Sequence, residues 1–410
     1  MPRIDIKNRA DGGDMRILFT CVPGTAHFHA MVPLVRAAEA AGHEVAVATA
    51  ETFGAAFTRE GFRLLPCGAD WSQSDASSLP QFHQRKGPQI GAFAEVAGMG
   101  MVDGLLAHAS RFEPELIVWD AMEFGGWVAA ELLGVPQAAA ASAMGTPRPI
   151  MQAMASAELA ELTARYGLAP DPELRRMFSH LYLHRKPRTL DLPYGEPLEQ
   201  EFRYRPAMFD EPTPPPPDGL SELLGSREQP LVHLSLGTTF VGTPAARAVN
   251  RAVFTALADE PVRLVASIGR SADPEDYGTL PPNVRLVRYV DHRALLPHCA
   301  AFISHGSFSS ILVAIASGVP LCLLPMGADQ PVVSMHLANL GLGVNLANVH
   351  RPPAPSLDAQ ALNPDDVRSA VRTVLDESKY ADAVSYVQDD FRRLPALPAV
   401  IDRLERLTDR

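Results

Sequence analysis

Closely spaced cysteines and an excess of positive charge are both lacking in this chain of 410 residues. The four cysteines lie far apart without a CxxC pair, which excludes a disulfide scaffold and a cysteine-based metal site. Lys and Arg number 36 against 47 Asp and Glu, a net charge of −11, which argues against binding to nucleic acid or anionic membranes. A reducing, cytoplasmic setting is the simplest interpretation.

Membrane spans, targeting segments and glycine fingerprints are lacking as well. The uncharged stretch Gly306–Ala328 is long enough to raise a membrane span, but Gly318 and Pro320 interrupt it. It is therefore predicted to form a buried helix followed by a buried parallel strand. Residues 1–14 are polar, have no signal-peptide core and are predicted to be a disordered tail. Neither GxGxxG nor a Walker loop is found, which disfavours a nicotinamide or ATP site.

Short apolar runs alternate with helix-length segments in both halves of the chain. This alternation predicts two α/β domains, each with a parallel sheet covered by helices. The predicted strands are Arg16–Cys21, Val45–Thr49, Leu116–Trp119, Pro136–Ala141, Leu231–Leu236, Val262–Ser267, Val284–Val290, Ala301–Ser304 and Leu321–Leu324. The predicted helices include Phe124–Leu133, Ala245–Leu257, Ser307–Ser317 and Asp329–Leu340.

A proline-rich segment divides the two halves. Residues 211–219 read EPTPPPPDG, which cannot join a sheet or a helix interior and predicts an extended linker. We predict doubly wound, Rossmann-like domains over 15–211 and 220–385, with the linker at 212–219. The last segment, 386–410, is predicted to be helical and is a candidate for packing back on the first domain. Two such domains would face a cleft, with ligands at the carboxyl ends of the strands.

Loops in the second half have residues suited to a phosphate and a sugar. The segment His305–Ser310 follows a strand and opens a helix, so its N–H groups and His305 are candidates to bind a phosphate. A serine-capped helix start is the alternative. The turn Ser235–Thr239 is a weaker candidate of the same kind. Asp329 and Gln330 could bracket vicinal sugar hydroxyls, with an N-capping aspartate as the alternative.

In the first half, a histidine and an aspartate follow neighbouring predicted strands. His27 and His29 come after the first strand, and Asp120 directly follows Leu116–Trp119. In a parallel sheet these residues would emerge on the same edge. A histidine held by a carboxylate is a competent general base near neutral pH, whereas a structural role is the alternative for each histidine.

Taken together, these segments resemble the inverting, nucleotide-sugar-dependent glycosyltransferases of family 1, which have the GT-B fold, particularly their actinobacterial natural-product branch. The most specific likeness is Leu295–Gln330 (LLPHCAAFISHGSFSSILVAIASGVPLCLLPMGADQ), which is similar to the family's donor-binding motif. Gly24–Val45 is similar to the family's opening segment, and Glu115–Pro136 to the segment that supplies the dyad aspartate. The resemblance implies an acceptor-binding first domain and a nucleotide-sugar-binding second domain.

The resemblance also implies roles for individual residues. It selects His27 over His29 as the catalytic base, because Pro33 falls six residues later as in the family, and makes Asp120 its partner. The implied donor-binding residues are Gly237, Thr238, His305, Gly306, Ser307, Ser309 and Ser310 for the diphosphate, Tyr289, Val290 and Val313 for the nucleoside, and Asp329 and Gln330 for the sugar. The implied acceptor-binding residues are Trp71, Phe82, Phe93 and Met144, for which a place in the core is the alternative.

The chain departs from the family pattern at several of these positions. Ala26 and Ala30 replace a glycine and a proline around the catalytic histidine, and serines 307 and 309 replace glycines of the phosphate loop. Val313 replaces the glutamate that binds ribose hydroxyls in many UDP-sugar enzymes. A ribose 2′-OH against a valine would lose a partner at a cost of about 1–3 kcal/mol, which favours deoxyribose and hence a dTDP-sugar.

We therefore predict an inverting glycosyltransferase that moves a sugar, from a dTDP-deoxysugar, onto a hydroxyl of a small apolar natural-product aglycone. It would need no cofactor beyond the nucleotide sugar and no obligatory metal. The open alternatives are a UDP-hexose-dependent enzyme of the same fold, a non-catalytic nucleotide-binding or activator relative, and a nucleotide-sugar epimerase. No nucleic-acid partner and no membrane span are predicted, and a homodimer remains open.

Overall fold

The structure is a computed structural model, and it describes most of the chain. The described residues are 14–69, 93–145, 147–193, 195, 198–215, 220, 224, 228–238, 240, 242–270, 272–350 and 354–409, without the side chains of 95–97. The predicted tail lies outside this set except for Asp14, and so do linker residues 216–219. The chain divides into two compact units, Met1–Ala207 with Arg393–Arg410, and Met208–Arg392.

The first unit is built on a seven-stranded parallel sheet in the order β3-β2-β1-β4-β5-β6-β7. Successive side chains of one strand enter different hydrophobic clusters, so both faces of the sheet are covered. Leu18 and Ile117 belong to one cluster, whereas Ile17 and Phe19 belong to the other. The elements are β1 (Arg16–Thr20), α1 (Thr25–Ala40), β2 (Glu44–Thr49), α2 (Glu51–Arg59), β3 (Leu64–Pro66), a π-helical turn (Phe93–Gly98), α3 (Met99–Phe112), β4 (Leu116–Asp120), α4 (Phe124–Leu133), β5 (Gln137–Ala140), α5 (Arg148–Arg165), β6 (Leu181–His184) and β7 (Glu201–Arg203).

The second unit repeats this plan with a six-stranded parallel sheet in the order β10-β9-β8-β11-β12-β13. In both sheets the order reverses beside the first strand of the unit, the point where ligands bind in doubly wound sheets. The elements are β8 (Leu231–Ser235), α6 (Pro244–Leu257), β9 (Arg263–Ser267), β10 (Val284–Val287), α7 (His292–Leu295), β11 (Ala301–Ser304), α8 (Phe308–Ala316), β12 (Leu321–Leu323), α9 (Gln330–Asn339), β13 (Gly343–Asn345), α10 (Pro364–Asp376) and α11 (Ser378–Arg393).

The chain returns to the first unit later than the sequence predicts. The predicted boundary at residue 386 falls inside α11, whose buried residues continue to Phe391. Phe391 stacks on Phe209 with ring centroids 4.6 Å apart, and this contact keeps the helix in the second unit. The last helix, α12 (Pro398–Thr408), buries Val400 and Leu404 in a hydrophobic cluster of the first unit.

The uncharged stretch Gly306–Ala328 folds as predicted. It contains α8 followed by the buried strand β12. No helix within the described part of the chain is long and apolar enough to cross a membrane.

Candidate functional site

His27 and Asp120 meet at the carboxyl edge of the first sheet. The turn through Gly24 joins β1 to α1 and places His27 in the first turn of that helix. Its Nδ1 lies 2.5 Å from Asp120 Oδ2, so Nδ1–H donates to the carboxylate and leaves Nε2 to accept a proton. His27 is 8% exposed and Asp120 is fully buried, whereas His29 is exposed. The structure therefore pairs Asp120 with the histidine that the family resemblance selects.

Asp120 is held as a carboxylate by its surroundings. Ser142 Oγ donates to Oδ1 at 2.8 Å, and the backbone N–H groups of Met122 and Val22 donate at 3.2 and 3.3 Å. Burial by itself raises the pKa of Asp120, but the charge and hydrogen bond of His27, with the donors of Ser142 and Met122, outweigh it and lower the pKa below its usual value. Asp120 is therefore ionised at neutral pH and fixes the tautomer of His27.

Two polar residues that the sequence did not indicate support Asp120, one directly and one through the other. Ser142 follows β5, and Arg185 follows β6 and donates to the carbonyl oxygen of Ser142. Both side chains are buried. A polar residue shortly after a buried strand, at the edge where Asp120 emerges, is the signal that could have identified Ser142. Because β6 itself was not predicted, Arg185 had no such signal.

Glu123 is a second buried carboxylate close to Asp120 that sequence reasoning also missed. It stands at the N-terminus of α4, where Oε1 accepts from Gly125 N and Oε2 from Gly126 N, both at 2.8 Å. Thr20 Oγ1 also donates to Oε2, at 2.6 Å. Burial is the largest effect and raises the pKa of Glu123 to about 7, with a further contribution from the Asp120 charge. The three donors act in the opposite direction.

We expect the free energy of unfolding to decrease between pH 5 and pH 8 because of Glu123. Its pKa rises from 4.5 to about 7 on folding, so in this window the folded state binds a proton that the unfolded state has lost. Stability is then lost as the pH rises, and the shift corresponds to about 3 kcal/mol. Urea unfolding of the wild type and Glu123→Gln at pH 5, 6.5 and 8 measures this contribution. A difference between the two proteins that stays constant with pH would contradict it.

In the second unit, Gly237 packs the loop after β8 against the loop after β11, and Gly306 packs the loop after β11 against α9. Gly237 has a φ of +72°, and a Cβ placed on it would lie 2.4 Å from His305 Nε2. Gly306 has a φ of +90°, and its Cβ would lie 2.6 Å from Ser334 Oγ. Both positions therefore require glycine, and the closely packed backbone resembles the turns that bind anions. Thr238 beside Gly237 is exposed, and Thr239 lies outside the described residues.

The start of α8 is not capped by a serine side chain. Ser307 stands at the N-cap, but its hydroxyl makes no capping hydrogen bond, so the structure does not realise the serine-capped alternative. Ser309 and Ser310 lie in the first turn, where the N–H groups point toward the N-terminal end of the helix. His305 precedes this turn, and burial, followed by the nearby His292, lowers its pKa to about 4. It is therefore neutral at pH 7 and suited to hydrogen bonding rather than to charge pairing.

The two residues predicted to bind the sugar have different surroundings. Asp329 is exposed at the N-cap of α9 and makes no capping hydrogen bond with its side chain, unlike the N-capping alternative. Gln330 is 5% exposed, and its Oε1 accepts from the backbone N–H groups of Met326 and Gly327 at 2.8 and 3.1 Å. Its amide oxygen is thus occupied in holding the turn before α9.

The predicted nucleoside residues lie in three different environments. Tyr289 follows β10 and is 49% exposed, with the Arg270 guanidinium 3.7 Å above its ring. The Val290 side chain is buried in a hydrophobic cluster with Leu295, so a nucleoside could contact Val290 only through its backbone. Val313 is half-buried on α8.

The predicted acceptor residues are only partly described. Phe93 is buried, and its ring centroid lies 6.3 Å from that of His27. Met144 is also buried, whereas Trp71 and Phe82 lie outside the described residues. Phe93 is therefore the predicted acceptor residue that the structure brings to the His27–Asp120 pair.

The four cysteines are free thiols. Burial is the main effect that raises the pKa values of Cys67, Cys299 and Cys322 to about 12, and that of Cys21 well above its usual value. These thiols are therefore poor nucleophiles. Within the ranges that the structure describes, no group of three or more His, Cys, Asp or Glu side chains is arranged to hold a metal ion.

Comparison with known proteins gives consistent likenesses over nearly the whole chain. Residues 251–407 match the family described as "Erythromycin biosynthesis protein CIII-like, C-terminal domain". The chain is 31% identical to L-demethylnoviosyl transferase of Streptomyces niveus, over 81% of this chain and 85% of that protein. It is 26% identical to TDP-daunosamine transferase DnrS of Streptomyces peucetius, over 97% of each. The crystal structure of glycosyltransferase VinC in complex with dTDP superposes with a TM-score of 0.74 and 25% identity, over 96% of this chain and 100% of that one.

Proposed function

The chain belongs to the actinobacterial antibiotic glycosyltransferases with the GT-B fold, and on this premise we propose that it transfers a deoxysugar from a dTDP-sugar to a hydroxyl of a small apolar aglycone. The reaction inverts the anomeric configuration in this proposal. The first unit would bind the acceptor and the second unit the nucleotide sugar.

The contact between His27 and Asp120 is the observation that carries the proposal. His27 Nε2 removes the proton of the acceptor hydroxyl, while Asp120 stays ionised and stabilises the imidazolium through Nδ1–H. The acceptor oxygen then attacks the anomeric carbon as the bond from that carbon to the diphosphate oxygen breaks. The electron pair of that bond leaves with the nucleoside diphosphate. Attack opposite the leaving group inverts the configuration.

The leaving diphosphate would be stabilised by the loops of the second unit. The start of α8 offers N–H groups and the positive end of the helix dipole, and His305 stands directly before it, held by a hydrogen bond to the backbone of Ser235. The turn at Gly237 leaves the same edge of the sheet as the loop before α8 and packs against His305, so its backbone N–H groups would lie near the same diphosphate. In this proposal the charge that develops on the leaving group needs no obligatory metal ion.

The choice of dTDP rests on Val313 and on what relatives bind. A valine cannot accept a hydrogen bond from a ribose 2′-OH, and deoxyribose lacks that hydroxyl. One relative is named a TDP-daunosamine transferase, and the VinC structure contains dTDP. These observations support a dTDP-linked donor over a UDP-linked one.

We expect dTDP to raise the melting temperature more than UDP or GDP does at equal concentration. A nucleotide at 100 times its Kd adds about 2.7 kcal/mol of stability, which a thermal-shift assay detects readily. In Val313→Glu, the glutamate can accept bonds from ribose hydroxyls, so the preference for dTDP over UDP should shrink by about 1–3 kcal/mol.

The other outcomes of the thermal-shift assay would favour a different function for the chain. Equal or larger stabilisation by UDP in the wild type would favour a UDP-hexose enzyme and contradict the argument from Val313. No shift with any nucleotide would count against a nucleotide-sugar enzyme altogether. Incubating dTDP-deoxysugars with hydroxylated apolar aglycones tests transfer itself, and NMR of the glycoside gives its anomeric configuration.

A further inference from the structure

Three neighbouring strands of the second sheet end in the same short pattern. Strands β9, β8 and β11 lie side by side, and their last residues pair with one another in register. Each last residue is a serine, and a glycine with a positive φ follows two positions later. The pairs are Ser267 with Gly269, Ser235 with Gly237, and Ser304 with Gly306. The second and third pairs belong to the loops assigned to the diphosphate, whereas the mechanism gives no role to the loop after β9.

The loop after β9 is held differently from the other two. In the loops after β8 and β11, the serine hydroxyl accepts a hydrogen bond from the glycine N–H, at 3.4 and 3.2 Å. The Gly269 N–H instead donates to the carbonyl oxygen of Arg288 at 3.0 Å, which joins this loop to the segment after β10. The Oγ atom of Ser267 is buried and has no hydrogen-bond partner among the described residues. The polar edge formed by the ends of β11 and β8 therefore continues to β9.

The order of the strands places the loop after β9 between the diphosphate loops and Tyr289, the aromatic residue predicted to bind the nucleoside. The order is β10-β9-β8-β11, and Tyr289 follows β10. Neighbouring strands lie about 4.8 Å apart, so β9 is one spacing from both β10 and β8. A nucleotide with its base at Tyr289 and its diphosphate at the loops after β8 and β11 would therefore pass over the end of β9. The α-phosphate, which joins the nucleoside to the rest of the diphosphate, is the charged group expected there.

Arg270 brings a positive charge to this point. It follows Gly269, and its guanidinium carbon lies 3.7 Å from the centroid of the Tyr289 ring. The side chain is exposed and makes no ion pair with any acid that the structure describes. A guanidinium can stack on an aromatic ring by its flat face while the N–H groups along its edge donate hydrogen bonds. Tyr289 remains 49% exposed beside Arg270, so part of its ring is still open to a base.

The residues assigned to the donor so far provide no positive charge at pH 7. His305 is neutral because burial lowers its pKa to about 4, and the other assigned groups are hydroxyls, an amide, an acid, uncharged side chains and backbone N–H groups. Arg293 on α7 already pairs with Glu211 and Asp291. A hydrogen bond from an arginine to a phosphate is roughly twice as strong as one between neutral groups. Arg270 is therefore suited to supply the missing cation.

We propose that Arg270 binds the α-phosphate of the donor nucleotide while stacked on Tyr289, and that the loop after β9 is a third donor-binding loop. This inference rests on the proposed function, which supplies the nucleotide sugar. The contact is made to the substrate before the reaction and is kept by the nucleoside diphosphate afterwards. Because it does not depend on the bond that breaks, its loss should raise KM for the donor far more than it lowers kcat.

The direct test measures the Kd of dTDP by isothermal titration calorimetry. We expect Arg270→Met, which keeps an unbranched stem against Tyr289, to bind dTDP roughly tenfold to a hundredfold more weakly than the wild type. Thymidine has no phosphate, so ligand-observed NMR should show equal binding to both proteins. Arg285→Met removes another exposed arginine, on β10 before the carboxyl edge, and as the matched control should leave the Kd of dTDP unchanged.

Steady-state rates provide a second readout. In Arg270→Met, KM for the dTDP-sugar should rise by about the factor found for Kd, while kcat stays within about twofold of the wild type. Arg270→Lys keeps the charge but loses the planar fork, so its Kd should fall between those of the wild type and Arg270→Met. The melting temperature without nucleotide should be the same for all these variants, because Arg270 is exposed.

The possible failures are distinct. If the wild type binds dTDP and Arg270→Met binds it equally well, the inference is wrong and the proposed function stands. If Arg270→Met weakens thymidine and dTDP by the same factor, the arginine acts on the base through Tyr289, and its assignment to the phosphate is wrong. If the wild type binds no nucleotide, the proposed function fails and the inference fails with it.

Discussion

Replacing His27 with alanine should lower kcat for sugar transfer by about 10²–10⁴. The alanine removes the Nε2 atom that takes the hydroxyl proton, and the Asp120 carboxylate is left without a group to orient. Binding of the nucleotide should be unaffected, because the predicted donor-binding residues belong to the second unit. Initial rates at saturating donor and acceptor, with thermal shifts in dTDP, measure the two effects separately.

His29→Ala is the matched control for this variant. His29 lies two residues further along the same helix and is exposed, so its loss should leave kcat within about twofold of the wild type. Wild-type turnover in His27→Ala would refute the assignment of the base. A large loss in His29→Ala instead would transfer the role to that residue.

Replacing Asp120 with asparagine should lower kcat over a similar range, about 10²–10⁴. Asparagine has one acceptor oxygen in place of two and carries an NH₂ group, which also donates. The NH₂ group must therefore face either His27 Nδ1–H and the Val22 N–H, or Ser142 Oγ and the Met122 N–H. The substitution also removes the charge that stabilises the imidazolium. Rates and unfolding free energies of the same preparation measure the change.

Ser142→Ala distinguishes loss of the charge from loss of a single hydrogen bond. It leaves Asp120 ionised and removes one donor, which is worth about 1.5–3 kcal/mol when it bonds to a charged group. We expect a loss of kcat much smaller than that of Asp120→Asn. If Asp120→Asn retains more than about a tenth of the wild-type kcat while folded, Asp120 is not needed to support the base.

Local patterns in the chain were sufficient to predict much of the fold and to indicate candidate residues in both units. A buried parallel strand is apolar along its length, so a strand such as Ala301–Ser304 can be recognised from the sequence. A helix such as Phe124–Leu133 can be recognised as well, because it is a longer apolar segment that ends at a glycine. The first polar residues after such strands mark the carboxyl edge of a sheet. This is why His27, His29, Asp120 and His305 could be named as candidates before their neighbours were known, whereas the choice of His27 over His29 came from the family resemblance.

Elements with a weaker local pattern escaped prediction. The strands β3, β6, β7 and β13 have only three or four residues each, and each contains or adjoins a charged residue or a glycine, so no apolar run marks them. Strand β6 is also followed by Arg185 and Lys186, whose charges suggest an exposed loop although both side chains are buried.

Contacts between residues distant along the chain were decided only by the tertiary structure. Thr20 meets Glu123 across 103 positions, and Arg185 meets Ser142 across 43. The hydrogen bonds by which Gln330 Oε1 holds the turn before α9 were likewise visible only in the structure. The spacing of apolar residues indicates which side of a helix or strand is buried, but it does not indicate which polar group of another element that side contacts. The buried charges around the catalytic pair therefore become visible only when the strands are assembled side by side.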